Sequence, residues 1–255
     1  MPHLLTYSDV DVSTEDLETL SNGNWLNGSI IHFCLRRVVE ETLTKLGEQH
    51  TANILLLDPL VVQSLQFHVD CDEERKGMAR YLKLSSRTWI LTIINDSSSL
   101  ETTGSHWSLL ALHLASGSGF HLDSMGGRND RAAKRILELL QNLHTFGKDE
   151  EESKDGDRRG GSSKAAAAVL LPPLMIEITA PQQTEGFNCG VYSLLFADIL
   201  SSYIAGGGDL LSRAGKSEIE SLLAAAVSLE CATAYRLQVA ADIQSLCAGS
   251  EGAGV

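Results

Sequence analysis

The sequence predicts an α+β chain, with a block of strands in the middle and helices on both sides. Three observations carry this. Residues 88–94 read Thr-Trp-Ile-Leu-Thr-Ile-Ile, a β-branched and aromatic composition that suits a pleated, half-buried surface. Apolar residues recur at helical spacing before that block, at Ile30, Ile31, Cys34, Leu35 and Val38, and again after it, at Ile136, Leu137, Leu140 and Leu143. Residues 190–204 are apolar almost all round, which marks a helix buried on every side.

Taken in order, residues 13–20 open a helix, with Ser13 as N-cap and Asp16 three positions on. Ser21-Asn22-Gly23-Asn24 breaks it, and Trp25-Leu26-Asn27-Gly28 leads into a second helix. Residues 54–57 (Ile-Leu-Leu-Leu) read as a short buried strand ended by Asp58-Pro59, with a short helix near 60–67. The strand at 88–94 is followed by others at 106–114 and 119–123, joined by the turn Ala115 to Gly119. A turn centred on Gly117 sets His106 opposite about Arg128, so register alone does not bring His106 to Asp123. Residues 130–146 form a helix. Residues 147–164 are charged, Gly/Ser-rich and free of apolar side chains, and a disordered insertion is expected there. Such a loop is tolerable because closure entropy grows slowly with length. A strand at 174–179 precedes the apolar helix, which Gly206-Gly207-Gly208 ends. Amphipathic helices around 216–231 and 234–246 close the chain, with a frayed tail at 248–255. The whole, 1–255, reads as one domain.

Bulk properties narrow the function. At 255 residues and 43% hydrophobic, there is enough apolar mass for a core. A formal net charge of −13 disfavours nucleic acid as a partner. The same charge suits a basic partner, through long-range steering, as well as plain solubility. Five cysteines with no C-x-x-C pair disfavour a disulfide framework or a zinc site. No signal-like or membrane-spanning run is evident. A reducing compartment, cytoplasm or nucleus, is expected.

The chemistry converges on Cys189. Cys189-Gly190 opens the apolar helix, and a helix start supplies positive partial charge that favours a thiolate. Gly190, lacking a Cβ, would let a substrate backbone come close. His106 stands at the mouth of a strand and can act as base. Asp123 ends the neighbouring strand and can orient an imidazole; read alone, it is a turn-initiating residue. Gln183 lies six residues before Cys189, and its carboxamide, with the Cys189 backbone N–H, could form an oxyanion hole. Read alone, Gln183 is a loop glutamine like Gln182 beside it. The other histidines and cysteines lack such a context and read as structural.

Together these segments resemble a family. His106-Trp107-Ser108-Leu109-Leu110, Asp123-Ser124 and Pro181-Gln182-Gln183-x-x-Gly186-Phe187-Asn188-Cys189-Gly190-Val191-Tyr192 are similar to the Ulp/SENP family of ubiquitin-like-protein-specific cysteine proteases. Leu5 to Val10, Trp25-Leu26-Asn27 and Ile94-Asn95-Asp96 extend the resemblance over nearly the whole chain, and it is strongest to the deneddylase (sentrin-specific protease eight-like) branch.

The resemblance implies a papain-like fold of the adenain type, with a central mixed sheet flanked by helices. It implies a Cys189–His106–Asp123 triad, Gln183 in the oxyanion hole, and no metal or cofactor. It further implies that Trp25 and Trp107 flank a narrow channel for the Gly-Gly C-terminus of a ubiquitin-like modifier. The expected partner is the neddylation modifier and its conjugates, with SUMO as the alternative, and the enzyme is expected to be a monomer. Two departures stand out: Gly28 occupies a position where the family usually has Asp, and Asn188 replaces the usual Asp before the nucleophile. A non-catalytic binder of ubiquitin-like proteins and an acyltransferase of the same clan are the readings from other classes.

Overall fold

The structure, a computed structural model, describes residues 2–68, 71–97, 99, 102, 104–156 and 174–251. It opens with an antiparallel hairpin of β1 (His3–Tyr7) and β2 (Val10–Ser13). Helix α1 (Thr14–Glu18) follows directly, and Ser13 and Asp16 make the reciprocal capping box that the sequence signals. Asn27 caps α2 (Gly28–Arg37) by accepting from the Ile30 N–H. The chain then runs through a π-helical turn (Val38–Leu43), α3 (Thr44–Leu46) and α4 (Glu48–Asn53) into β3 (Ile54–Leu57). Helices α5 (Pro59–His68) and α6 (Asp72–Tyr81) lead to the sheet's centre.

That centre is β4 (Trp89–Asn95), β5 (Trp107–His113) and β6 (Ser118–Leu122), with β7 (Leu174–Glu177) at the edge. The five-stranded sheet has the order β3-β4-β5-β6-β7. The pairs β3–β4 and β6–β7 are parallel, and β4–β5–β6 is antiparallel, so the sheet is mixed. Its two faces follow the period of two along each strand. Trp89, Leu91 and Ile93 of β4, with Leu109 and Ala111 of β5, face one core. Ile90, Ile94, Leu110 and Leu112 face the other. Because both faces are covered, these strands read as continuous apolar runs rather than alternating ones.

Helix α7 (Asp130–Gly156) covers the second face together with α5 and α6. Helix α8 (Cys189–Ala205) packs across β4 and β5 on the first. Helices α9 (Arg213–Ala226) and α10 (Leu229–Glu251) pack behind α8. This is the α+β arrangement expected, a mixed sheet between helical layers.

The structure differs from expectation in several places. Helix α7 runs to Gly156, so 147–156 is helical where a disordered insertion is expected; residues 157–164 lie outside the described residues. Glu and Lys are good helix formers, and extending a helix already nucleated needs no new nucleus. Helix α10 likewise continues through Ala248 to Glu251, with 252–255 outside the described residues. The break between the last two helices falls at Val227-Ser228, earlier than the pattern suggests. The β5–β6 register pairs Leu109 with Leu122 and His113 with Ser118, so the turn is centred before Gly117. Gly117 instead closes the loop, at φ 67°.

Candidate active site

The N-terminal end of β5, the C-terminal end of β6 and the N-terminus of α8 meet at one end of the sheet. His106 immediately precedes β5 and Asp123 immediately follows β6. Continued outward, the observed register sets His106 opposite Met125, so Asp123 is its diagonal neighbour, within reach of a long side chain. The contact is made: His106 Nε2 lies 2.6 Å from Asp123 Oδ1, with both side chains buried.

The Asp123 carboxylate also accepts from the backbone N–H groups of Met125 (2.8 Å) and Asn129 (2.9 Å). Burial works against its charge, but the bond from His106 and these backbone donors hold its pKa below the usual carboxylate range. An ionised carboxylate can only accept, so Nε2 carries the proton on that side. The neutral ring therefore presents Nδ1 as its basic atom.

Nδ1 is buried and has no partner at full hydrogen-bond geometry. The Cys189 thiol is close enough to act on the ring by hydrogen bonding and charge. A loose base–nucleophile contact is common before substrate binds. Burial opposes the charged imidazole. Hydrogen bonding to Asp123 and Cys189, then their charges, outweigh it and raise the His106 pKa from 6.5 to about 9. Cys189 itself is the first residue of α8 and 2% exposed.

The loop entering Cys189 is held at four successive carbonyls. Gln183 Nε2 donates to Glu185 O, Trp25 Nε1 to Gly186 O, Arg236 Nη2 to Phe187 O, and Tyr192 N to Asn188 O. Gln183 is fixed further: its Oε1 accepts from Ser124 Oγ at 2.8 Å, and its N–H donates to Ser124 O at 3.0 Å. These bonds tie Gln183 to the residue after Asp123. Gln182 is no idle neighbour. Its Nε2 donates to Asp123 O (2.9 Å), and its Oε1 accepts from Gly126 N (2.7 Å), pinning the Asp123 turn.

Trp25 and Trp107 line one cleft of about 350 Å³. Trp25 is 52% exposed, and its indole N–H reaches Gly186 O at 2.8 Å. Trp107 is half-buried and donates to Leu26 O at 3.0 Å. Leu60, also exposed, stands over Gly28, 3.6 Å from where a Cβ would be. No described lining residue carries a charge. Gly190 is closely packed: a Cβ there would lie 3.2 Å from Leu26 Cβ and 3.4 Å from Trp107.

The sequence signature of the Ulp1 protease family, C-terminal catalytic domain, matches residues 24–231. The chain belongs to this family. It is a cysteine protease of the Ulp/SENP group, specific for ubiquitin-like proteins. Among curated relatives, NEDD8-specific protease 1 of Arabidopsis thaliana is 25% identical over 80% of this chain and 78% of its own length. Sentrin-specific protease 8 of Rattus norvegicus is 25% identical over 78% of this chain and 79% of its own. A solved structure described as a de-sumoylating protease shares the fold at TM-score 0.64 and 15% identity, over 98% of this chain and 93% of that one.

Residues that sequence reasoning did not single out hold this protease's site together. Asp96 accepts from the Ser105 Oγ and N–H groups and from the His106 N–H (3.0 Å), fixing the start of β5. Gly104 makes that approach possible: its φ is 63°, and a Cβ would collide with the Asn95 side chain. Asn129 donates through Nδ2 to the carbonyls of Ile94 and His106 and to Ser108 Oγ. Arg236 reaches the nucleophile loop from α10. Only the quoted Ile94-Asn95-Asp96 segment hinted at any of these. Two other buried histidines have polar neighbours of their own: His121 sits between Ser108 and Asp130, and His32 between Asp58 and Asp9. All five cysteines are free thiols, and no helix among the described residues is long and apolar enough to cross a membrane.

Proposed function

We propose that this protease cleaves the bond after the Gly-Gly C-terminus of the neddylation modifier, both in its precursor and in conjugates. The observation that carries the chemistry is the line from Asp123 through His106 to Cys189, with Trp107 packed beside Gly190, the residue that follows the thiol. The Cys189 thiolate attacks the carbonyl carbon and forms a C–S bond. The negative charge that develops on oxygen is met by the Cys189 N–H and the Gln183 carboxamide, after Gln183 Nε2 turns from Glu185 O. The C–N bond then breaks, and His106 gives its proton to the leaving amine. Water, deprotonated by His106, releases the modifier's carboxylate and restores the thiol. Asp123 keeps the ring oriented throughout. Trp25 and Trp107 admit a tail without side chains, which is why Gly-Gly is the residue pair that fits.

The choice of modifier rests on the relatives, since two named for NEDD8 or sentrin align over most of both chains. Five free thiols suit a reducing compartment, cytoplasm or nucleus. Cleavage of C-terminal fusions of NEDD8, SUMO and ubiquitin, compared side by side, tests the reading. NEDD8 is expected to be processed fastest. Faster processing of SUMO overturns the modifier choice, and binding without turnover of any fusion makes the chain a non-catalytic binder.

A further inference from the structure

Arg236 is 3% exposed, yet it sits in the N-terminal half of α10, far from β5 and β6 in sequence. Its guanidinium makes four hydrogen bonds. Nε donates to Asn188 Oδ1 at 2.7 Å and Nη1 to Thr19 O at 2.9 Å. Nη2 donates to Asn24 O at 2.8 Å and Phe187 O at 3.0 Å. The plane also lies over the Phe187 ring, 5.6 Å from its centroid. These partners belong to two strips of chain. Thr19 and Asn24 bracket the turn that presents Trp25, while Phe187 and Asn188 lead into Cys189.

Resting on the proposed role of Cys189, we infer that Arg236 is a positioning residue that locks the Trp25 strip to the nucleophile loop and lends Cys189 its positive charge. The fork of fixed donors explains why arginine is needed, since an ammonium cannot span four acceptors in this geometry. The charge argument turns on residue 188. A carboxylate at that position would pair directly with the guanidinium and cancel much of its field. Asn188 accepts the same bond without charge and passes the compensation outward: Asn188 Nδ2 donates to Glu185 Oε1 at 2.7 Å. The counter-charge thus sits one side chain further off, on a half-buried residue. Burial disfavours the Arg236 charge, and the charges of Cys189 and Glu185 act in the opposite sense. Among the described residues, the charged or titratable groups that act on Cys189 or on Arg236 beside it are His106, just before β5, Arg236 from α10 and Glu185, which acts on Arg236.

Two variants separate clamp from charge. The paired substitution Glu185→Gln with Asn188→Asp moves the carboxylate to position 188 at constant net charge and keeps a hydrogen bond between the two side chains. Iodoacetamide alkylation, followed at the Cys189 peptide by mass spectrometry across pH, reads its effect. The rate at neutral pH is expected to fall about tenfold. An unchanged profile overturns the charge role. Arg236→Lys keeps charge but loses the fork, and labelling by a C-terminal electrophile probe of the modifier is expected to drop about tenfold or more. Wild-type labelling by Arg236→Lys overturns the clamp. Thermal melts confirm that both variants are folded. The alkylation arm needs no modifier. A wild-type enzyme that no probe labels sinks the proposed substrate reading, and the alkylation profiles still decide the role of Arg236.

Discussion

At the scale of single residues, His106 carries the electrostatic signature of the candidate site. Its folded pKa of about 9 lies above the ordinary 6.5, so its stabilising contribution is full below about pH 6.5 and lost as pH rises through about 9. An NMR titration of the imidazole is expected to show a midpoint near 9. Replacing Asp123 by Asn should bring it down, because the bond and the charge of Asp123 are leading causes of the rise. The same variant should cut turnover by up to about 10⁴-fold. A wild-type midpoint near 6.5 contradicts the ion-pair arrangement. Gly28 offers a second test. A side chain fits there, since the nearest atom to its Cβ is Leu60 Cδ2 at 3.6 Å. Placing an acid there with Gly28→Asp is expected to change modifier-tail affinity by about fivefold, on the order of one net hydrogen bond. Steady-state KM measures it, and an unchanged KM shows that the tail does not pass this position.

His106, Asp123, Gln183 and Cys189 stood out in the sequence because each lies in a short motif of recognisable chemistry. Gln182, Asn129 and Arg236 did not, because each acts through backbone carbonyls and N–H groups that only the fold brings near. No side-chain pattern records a partner of that kind.

At the scale of elements, the segment that delivers His106 depends on the turn at Gly104. Gly104→Ala combines a positive φ with a collision against Asn95. It is expected to cost about 1–3 kcal/mol and to lower turnover. Urea melts and kcat read the two effects. Wild-type stability would show that the turn relaxes freely.

The strands β4, β5 and β6 and the helix α8 were legible from composition, since both faces of the sheet and all sides of that helix are buried. The hairpin β1–β2 was not. Its turn holds Ser8 at φ 57° with no glycine to announce it. Helix α6 was missed as well, because Ala79 is its one buried residue and no apolar stripe marks it. The extension of α7 past 146 went unread for the opposite reason: its composition looks disordered, but it grows from a helix already anchored on the sheet.

At the scale of the whole molecule, a chain of net charge −13 presents a cleft between Trp25 and Trp107 whose described lining is uncharged. Long-range attraction and local seating are therefore separate. Association with a modifier is expected to slow several-fold from low to high salt, as screening shortens the field. Turnover of a short, neutral Gly-Gly peptide ester should change little over the same range. Equal salt dependence for both substrates contradicts the separation.

The central claim is that Cys189 is the nucleophile. A NEDD8 probe with a C-terminal electrophile, followed by intact-mass and peptide-mapping spectrometry, tests it most directly. The account predicts one stoichiometric adduct, mapped to Cys189 and absent from Cys189→Ala. An adduct on Cys71 or Cys231, or one that persists in Cys189→Ala, would contradict it.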